Sequence, residues 1–172
     1  KDKGLVSGLV NGWQLSSIIA RQSGRPFSVW NGAASTAGGD YNRDGGGGAV
    51  GGGFYDRPNA PAAGAIKSSF DRADFLTGLF AASLFPAPTP GTSGSLGRNT
   101  FRGPKYTSVD LSISRTFQVL ERAQIQFRAE AFNALNNVNL YLPNADMSIA
   151  NFGKSTQAFD ARTIQLGARF IF

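Results

Sequence analysis

The fold of this chain is decided by the stretch Val109-Asp110-Leu111-Ser112-Ile113-Ser114-Arg115-Thr116-Phe117, in which apolar and polar side chains alternate. Val109, Leu111, Ile113 and Phe117 fall on one face of an extended strand, and the polar side chains between them fall on the other. Arg115 is the single interruption of the apolar face. Alternation with a period of two is typical of a β-strand that has one face in an apolar environment. We therefore predict a strand over about residues 106–117.

Three more stretches alternate in the same way, and together the four predict an all-β fold. Residues 123–133 place Ile125, Phe127, Ala129 and Ala131 on one face. Residues 162–172 place Ile164, Leu166, Ala168, Phe170 and Phe172 on one face. Residues 10–29 alternate less regularly from Trp13 onward, and Pro26 marks the far end of that strand.

The connections between these strands are long, short and long in turn. Residues 118–122 are short enough for a hairpin, so the strands on either side should be antiparallel neighbours. Residues 30–105 are rich in Gly and Pro, with one short helix predicted between Ala73 and Phe85 around Gly78. Outer-membrane barrels have short periplasmic turns and long extracellular loops. The order therefore predicts outer loops at 30–105 and 134–161 and a periplasmic turn at 118–122.

Apolar strand faces can be buried in lipid, in a soluble β-sandwich or in an assembly of chains. Lipid is favoured by the order of the connections and by the alignment of Trp13, Phe117 and Phe172 at one membrane edge, as in an aromatic girdle. The opposite faces should then line a wet interior. Their predicted lumen-facing polar residues are Asp110, Gln126, Arg128, Glu130 and Arg169.

The sequence thus predicts an antiparallel transmembrane β-barrel segment of about four C-terminal strands with long extracellular loops. Four strands cannot close a barrel, because about eight are needed and a membrane sheet leaves no open edge. We expect the other strands to come from an N-terminal part of the same protein, another chain or self-association. Two alternatives stay open: a structural β-module that assembles with other chains or copies into a closed barrel or fibre, and a soluble β-sandwich binding domain.

Composition argues against several classes of function. The chain has no Cys and no His, which removes disulfides, thiolate sites and the commonest general base and metal ligand. Since it also has no nucleophile elbow, we do not expect an enzyme. The net charge of +6 is not gathered into a Lys/Arg run or a basic helix, so no nucleic-acid partner is expected. Basic loop residues are candidates for contacts with anionic lipopolysaccharide at the cell surface.

One stretch of the long connection has the spacing of a cation-binding loop. Asp40-Tyr41-Asn42-Arg43-Asp44-Gly45 offers oxygen ligands at alternate positions followed by Gly, which suits calcium. An EF-hand would carry Glu at the twelfth position, where this chain has Gly51, so an EF-hand is excluded. Asp56 supplies a further carboxylate. The predicted ligands are Asp40, Asn42, Asp44 and Asp56; the alternative is a solvated Gly/Asp turn without metal.

At this point the chain resembles a known family, the C-terminal end of TonB-dependent outer-membrane receptors of the Oar-like type, which carry a carboxypeptidase-regulatory-like N-terminal domain. The resemblance covers nearly the whole chain and keeps its order. Its motifs are Asn11-Gly12-Trp13-Gln14-Leu15-Ser16, Gln22-Ser23-Gly24-Arg25-Pro26-Phe27, Gly97-Arg98-Asn99-Thr100-Phe101-Arg102-Gly103-Pro104, Val109-Asp110-Leu111-Ser112, Phe127-Arg128-Ala129-Glu130-Ala131-Phe132-Asn133-Ala134-Leu135-Asn136, Ile164-Gln165-Leu166-Gly167 and Phe172.

The resemblance implies a parent protein with a barrel of about 22 strands, a plug and a periplasmic motif that contacts TonB, neither of which these residues contain. That parent would import a large scarce nutrient, such as a siderophore or an oligosaccharide. Its expected partners are the remaining strands and plug, outer-membrane lipid, the TonB complex and the barrel-assembly machinery. The last strand resembles the signal read by that machinery, through Ile164, Leu166, Ala168, Phe170 and Phe172.

Overall fold

The computed structural model describes residues 11–34, 38–45 and 56–172. Its elements are β1 (Trp13–Gln22), β2 (Pro26–Phe27), α1 (Arg72–Thr77), a 3-10 helix (Ala82–Leu84), β3 (Phe101–Arg102), β4 (Tyr106–Leu120), β5 (Ala123–Phe132) and β6 (Thr163–Ile171). The chain divides into two compact units. We call residues 1–22, 106–139 and 160–172 the strand unit, and residues 23–105 and 140–159 the connection unit.

The strand unit is a four-stranded sheet with the order β1-β4-β5-β6, and every neighbouring pair is antiparallel. The prediction of a mostly β fold built on an antiparallel sheet is therefore confirmed. β1 and β6 are the outer strands of this sheet, so the four strands do not close into a barrel by themselves.

The register of the sheet brings the four apolar strand faces onto one side. Leu15 is opposite Ile113, Ile113 is opposite Ala129, and Ala129 is opposite Leu166. Directly opposed residues in a sheet project to the same side, and side chains two residues apart along a strand share that side. The resulting face is open: Leu15 is 74% exposed and Leu166 is 80% exposed.

Some strand boundaries differ from the prediction. The first strand was expected at 10–29, but β1 ends at Gln22, and Pro26–Phe27 form the separate short strand β2. The break is explained by Gly24, whose backbone lies so close to Gly103 that there is no room for a regular strand side chain. Val10 lies outside the described residues.

The turn expected at 118–122 is shorter than predicted. β4 continues to Leu120, and only Glu121 and Arg122 separate it from β5. An irregularity in register between Gln118 and Leu120 accommodates this longer strand. The side-chain amide of Gln118 donates to the carbonyl oxygens of Leu120 and Glu121, at 2.7 and 3.2 Å, and so holds the tight turn.

The connection unit has a core of its own, which the Gly- and Pro-rich sequence did not predict. Phe80 lies at its centre, with ring centroids 5.0 Å from Phe101, 5.1 Å from Phe85 and 5.2 Å from Phe152. The buried cluster consists of Phe27, Val29, Phe80, Phe85, Leu96, Phe101, Ala145 and Phe152. Aromatic side chains of this size bury enough apolar surface to order connections that would otherwise be loops.

The helix expected between Ala73 and Phe85 is broken in two. α1 ends at Thr77, because Gly78 adopts a φ of 122° that favours glycine. At its start, the carboxylate of Asp71 accepts from the backbone N–H of Asp74 and the carboxylate of Asp74 accepts from that of Asp71, a capping box. Among the described residues, no helix has the length and apolar character needed to cross a membrane.

Candidate functional site

The polar face of the sheet carries the predicted lumen-facing side chains. Arg128 Nη1 lies 3.6 Å from Glu130 Oε1, and the two side chains are 52% and 29% exposed. The side-chain amide of Gln126 donates to Thr116 Oγ1 at 3.4 Å, and Gln126 is directly opposite Arg169 on β6. The register thus brings Gln126, Arg128, Glu130 and Arg169 to one side of β5 and β6, as the alternation predicts.

Asp110 has a different, local task. Its carboxylate accepts from the backbone N–H of Asn133 at 2.8 Å and from the hydroxyl of Ser108 at 3.1 Å. Asn133 follows the end of β5 with a φ of 50°, in the left-handed region that Asn tolerates. Asp110 therefore fixes the exit from β5, and no described hydrogen bond or ion pair joins it to Arg128 or Glu130.

The residues of the predicted assembly signal lie on β6 or directly after it, at the edge of the sheet. Ile164 is 62% exposed, Phe170 is 69% exposed and Phe172 is fully exposed. The register places Phe170 opposite Ile125 and Ala168 opposite Phe127, so the alternating side chains join the apolar face described above. One side of an outer strand is thus wholly apolar and accessible.

The loop with the predicted calcium ligands is held together by its own hydrogen bonds. The carboxylate of Asp40 accepts from the backbone N–H groups of Asp44 at 3.2 Å and Gly45 at 3.1 Å. The carboxylate of Asp56 accepts from those of Tyr41 at 2.6 Å and Asn42 at 3.1 Å. Asp40, Asn42, Asp44 and Asp56 therefore belong to one small loop structure, in which the side-chain amide of Asn42 also donates to Asp44 at 2.9 Å.

These contacts place two carboxylates on backbone amides instead of around a shared cavity. Within residues 11–34, 38–45 and 56–172, no group of three or more His, Cys, Asp or Glu side chains is arranged to hold a metal ion. A bound calcium would have to draw its ligands away from these amides. The predicted site stays a hypothesis that a titration can decide.

Asp56-Arg57-Pro58 has a structural role that the sequence analysis did not foresee. Arg57 Nη1 donates to the carbonyl oxygen of Leu96 at 2.6 Å, and Leu96 in turn donates its backbone N–H to Pro58 at 3.1 Å. Pro58 is among the most completely buried side chains. This tripeptide thus ties the Asp40–Gly45 loop to the segment around Leu96, and only the unusual Asp-Arg-Pro order hinted at it.

Arg115 is the second residue whose role emerges only from the structure. The sequence marks it as a charge that interrupts the apolar face of β4, yet it is only 7% exposed. Its guanidinium carbon lies 4.3 Å from the ring centroid of Phe117 and 5.3 Å from that of Trp13, its directly opposed partner on β1. Both are cation–π contacts, which lower the cost of a charge in apolar surroundings.

Comparison with known proteins gives one match. A family model described as "Outer membrane beta barrel domain" matches residues 1–165, which is nearly the whole chain. No curated protein and no solved structure matches the chain.

Proposed function

Because this chain belongs to the outer membrane β-barrel domain family and so lies in the bacterial outer membrane, we propose that it is the C-terminal β-barrel portion of a TonB-dependent transporter. The transporter would import a large scarce nutrient, such as a siderophore or an oligosaccharide. The observation that carries the proposal is the register of the sheet, which gathers four apolar strand faces on one open side.

Strand length supports a membrane-spanning role for this sheet. β1 has 10 residues, β5 has 10 and β6 has 9. A tilted strand needs about 9–11 residues to cross the hydrocarbon layer of a bilayer. The open apolar face would contact lipid, and the face with Arg128 and Glu130 would line a wet interior, as in known barrels.

The topology supports the proposed orientation. Gln22 is opposite Tyr106 and Phe132 is opposite Thr163, so both long connections leave the sheet at the same end. The two-residue turn after Leu120 lies at the other end. Long extracellular loops and short periplasmic turns are the rule in outer-membrane barrels, so the turn would face the periplasm and the connection unit the outside.

The outer strands β1 and β6 each leave one edge for another strand, because a membrane sheet cannot keep unpaired backbone groups in lipid. Further strands would close the barrel, and a plug and a TonB-contacting segment would complete the transporter. Phe172 and the apolar side of β6 would serve as the signal for the barrel-assembly machinery.

Single-cysteine labelling tests the membrane orientation of the strands. The chain has no Cys, so each introduced thiol is the only one it contributes. In the full-length protein in native membranes, we expect Leu166→Cys and Ile113→Cys to resist a water-soluble maleimide. Their neighbours Gln165→Cys and Ser112→Cys should react. Equal labelling of both sets would contradict the lipid-facing assignment.

Uptake measurements test the transport part of the proposal. A strain that expresses the full-length protein should take up its nutrient only while TonB and the proton gradient are intact. Growth on candidate iron–siderophore complexes and oligosaccharides, with and without TonB, identifies the substrate class. Normal growth of the deletion strain on every candidate would argue against a transporter.

The structural β-module stays as a second proposal, because the open edges of β1 and β6 equally fit strands of another chain. The mass of the intact polypeptide in its native membrane separates the two proposals. A long chain with a plug supports the transporter, and a short chain supports the module. The soluble β-sandwich alternative is not retained, because the family is one of the outer membrane.

A further inference from the structure

The positive charge of this chain is concentrated in two stretches. Residues 3–39 and 75–109 together contain six Lys and Arg and no Asp or Glu. The rest of the chain contains eleven Lys and Arg and eleven Asp and Glu. The entire net charge of +6 therefore originates in these two stretches, although neither contains a run of consecutive basic residues.

The fold of the connection unit brings basic residues from both stretches together. β2 pairs with β3 so that Pro26 is opposite Arg102, and the backbone N–H of Gly103 donates to the carbonyl oxygen of Arg25 at 2.8 Å. Lys105 follows two residues later. We call Arg25, Arg102 and Lys105 the basic cluster.

Each side chain of the basic cluster is exposed to solvent. The ion pairs found among the described residues, Lys67–Asp74 and Arg128–Glu130, involve none of the three. No carboxylate of residues 75–109 is available to neutralise Arg102 or Lys105, because that stretch has none. The cluster thus presents an uncompensated positive field.

The chain keeps this cluster close to one end of the sheet. Lys105 directly precedes Tyr106, the first residue of β4, and Arg25 is three residues beyond Gln22, the last residue of β1. Three residues span at most about 10 Å. In the orientation proposed above, on which this inference rests, that end of the sheet is at the outer surface of the membrane.

We propose that the basic cluster binds the phosphate groups of an anionic glycolipid in the outer leaflet of the outer membrane. Basic side chains next to a membrane surface attract anionic headgroups, and each contributes about 1 kcal/mol, or about a five-fold gain in affinity. Arg pairs with phosphate through two parallel hydrogen bonds, and Lys adds a compact charge. The bound headgroup would anchor the base of the connection unit to the membrane.

The test uses the full-length protein in detergent, with lipopolysaccharide as the probe. Native mass spectrometry counts bound glycolipid, and intact lipopolysaccharide is compared with lipopolysaccharide from which the lipid A phosphates have been removed. The variant Arg25→Gln/Arg102→Gln/Lys105→Gln neutralises the cluster. The control Arg72→Gln/Arg122→Gln/Lys154→Gln removes the same charge from other parts of the chain.

We expect the cluster variant to bind intact lipopolysaccharide about 100-fold more weakly, from three cations at about five-fold each. The control variant should stay within about two-fold of wild type, since its charges lie outside the cluster. Removing the phosphates should weaken binding to wild type and leave the cluster variant unchanged. Where the triple variant does not fold, Lys105→Gln alone should lower affinity about five-fold.

Three outcomes would overturn the inference. The control variant would lose as much affinity as the cluster variant, the dephosphorylated probe would bind as well as the intact one, or inorganic phosphate at equal concentration would displace the lipid completely. A protein that shows the alternating cysteine labelling but no phosphate-dependent binding refutes only this inference. A protein without that labelling pattern refutes the proposed membrane function itself.

Discussion

The guanidinium carbon of Arg115 lies 4.3 Å from the ring centroid of Phe117, two residues further along the same strand. Arg115 stands on the apolar face of the sheet but is only 7% exposed. A bare Arg on the lipid face of a barrel costs about 2–4 kcal/mol at the bilayer midplane. The rings of Phe117 and Trp13 offset part of that cost, because the faces of aromatic rings attract cations.

A double-mutant cycle measures this contact. Arg115→Met and Phe117→Leu, made singly and together, should show a coupling free energy of about 0.5–2 kcal/mol in urea unfolding of the membrane-inserted protein. Arg115→Met paired with Phe170→Leu is the control, because the register places Phe170 opposite Ile125, away from the Arg115 row. Strict additivity of Arg115→Met and Phe117→Leu would show that the rings do not stabilise the charge.

Gly24 is a position where one methyl group should disrupt the connection unit. A Cβ at Gly24 would lie 1.8 Å from the carbonyl oxygen of Gly103, a backbone atom that cannot move aside without breaking the β2–β3 ribbon. We expect Gly24→Ala to destabilise the protein by at least about 1–3 kcal/mol, as overpacking does. Gly167→Ala is the control, because no atom lies within 4 Å of its Cβ position.

The folded fraction of each glycine variant can be followed by the change in electrophoretic mobility on heating. Gly167→Ala should behave as wild type within about 0.5 kcal/mol. Equal folding of the two variants would show that the close approach of Gly24 and Gly103 is not required.

Calorimetric titration decides between the calcium hypothesis and a metal-free turn. If Asp40, Asn42, Asp44 and Asp56 bind calcium, the full-length protein should release or absorb heat on titration, and Asp44→Asn should weaken binding at least ten-fold, because it removes a charged ligand. Asp71→Asn, in the cap of α1, is the control for loss of one negative charge. Absence of any heat would leave the loop as a turn held by its own hydrogen bonds.

Removal of the final aromatic side chain tests the assembly signal. Phe172→Ala should lower the amount of inserted, heat-modifiable protein in outer membranes several-fold, because it removes the last apolar side chain from the face formed by Phe170 and its neighbours. Ile171→Ala is the matched control, because Ile171 is opposite Gln124 on the polar side. The prediction fails if both variants insert equally well.

The Lys67–Asp74 pair predicts how the connection unit responds to pH. Lys67 Nζ lies 2.7 Å from Asp74 Oδ1. This hydrogen bond, followed by the backbone N–H of Asp71, lowers the pKa of Asp74, and the same contact raises the pKa of Lys67. The contribution of Asp74 is therefore fully present above its unfolded pKa and is lost as pH falls through the lower folded value.

The contribution of Lys67 has the opposite dependence, because it is present below the unfolded pKa and lost as pH rises through the raised folded value. Thermal unfolding can be followed by the fluorescence of Trp30, in a background in which Trp13 is replaced by Phe. Wild type minus Asp74→Asn should give a stability difference that disappears only at acid pH and at strongly alkaline pH. A difference that is constant over the whole range would contradict the pair. Both groups are exposed, so the effect should shrink with added salt.

The prediction of strands rests on features that survive in any environment. Alternation in Val109–Phe117 and in Ile164–Phe172 depends only on neighbours along the chain, and the short segment before Ala123 allows only an antiparallel hairpin. The same local logic fails at Ala73–Phe85, where Gly78 divides the helix. It also fails for Phe80, Phe85 and Phe152, which are far apart in sequence and gain their burial only when they meet in one core.

By itself, the sequence determined that this chain forms antiparallel strands with one apolar and one polar face each, because side-chain alternation is a property of a single strand. Only the tertiary structure decided which faces share a side, that Arg115 lies against Trp13 and Phe117, and that Asp110 holds the exit from β5. It also decided that Arg25, Arg102 and Lys105 form one cluster. These features depend on register and on pairing between distant segments, and a one-residue shift in register would turn every side chain of a strand to the opposite face.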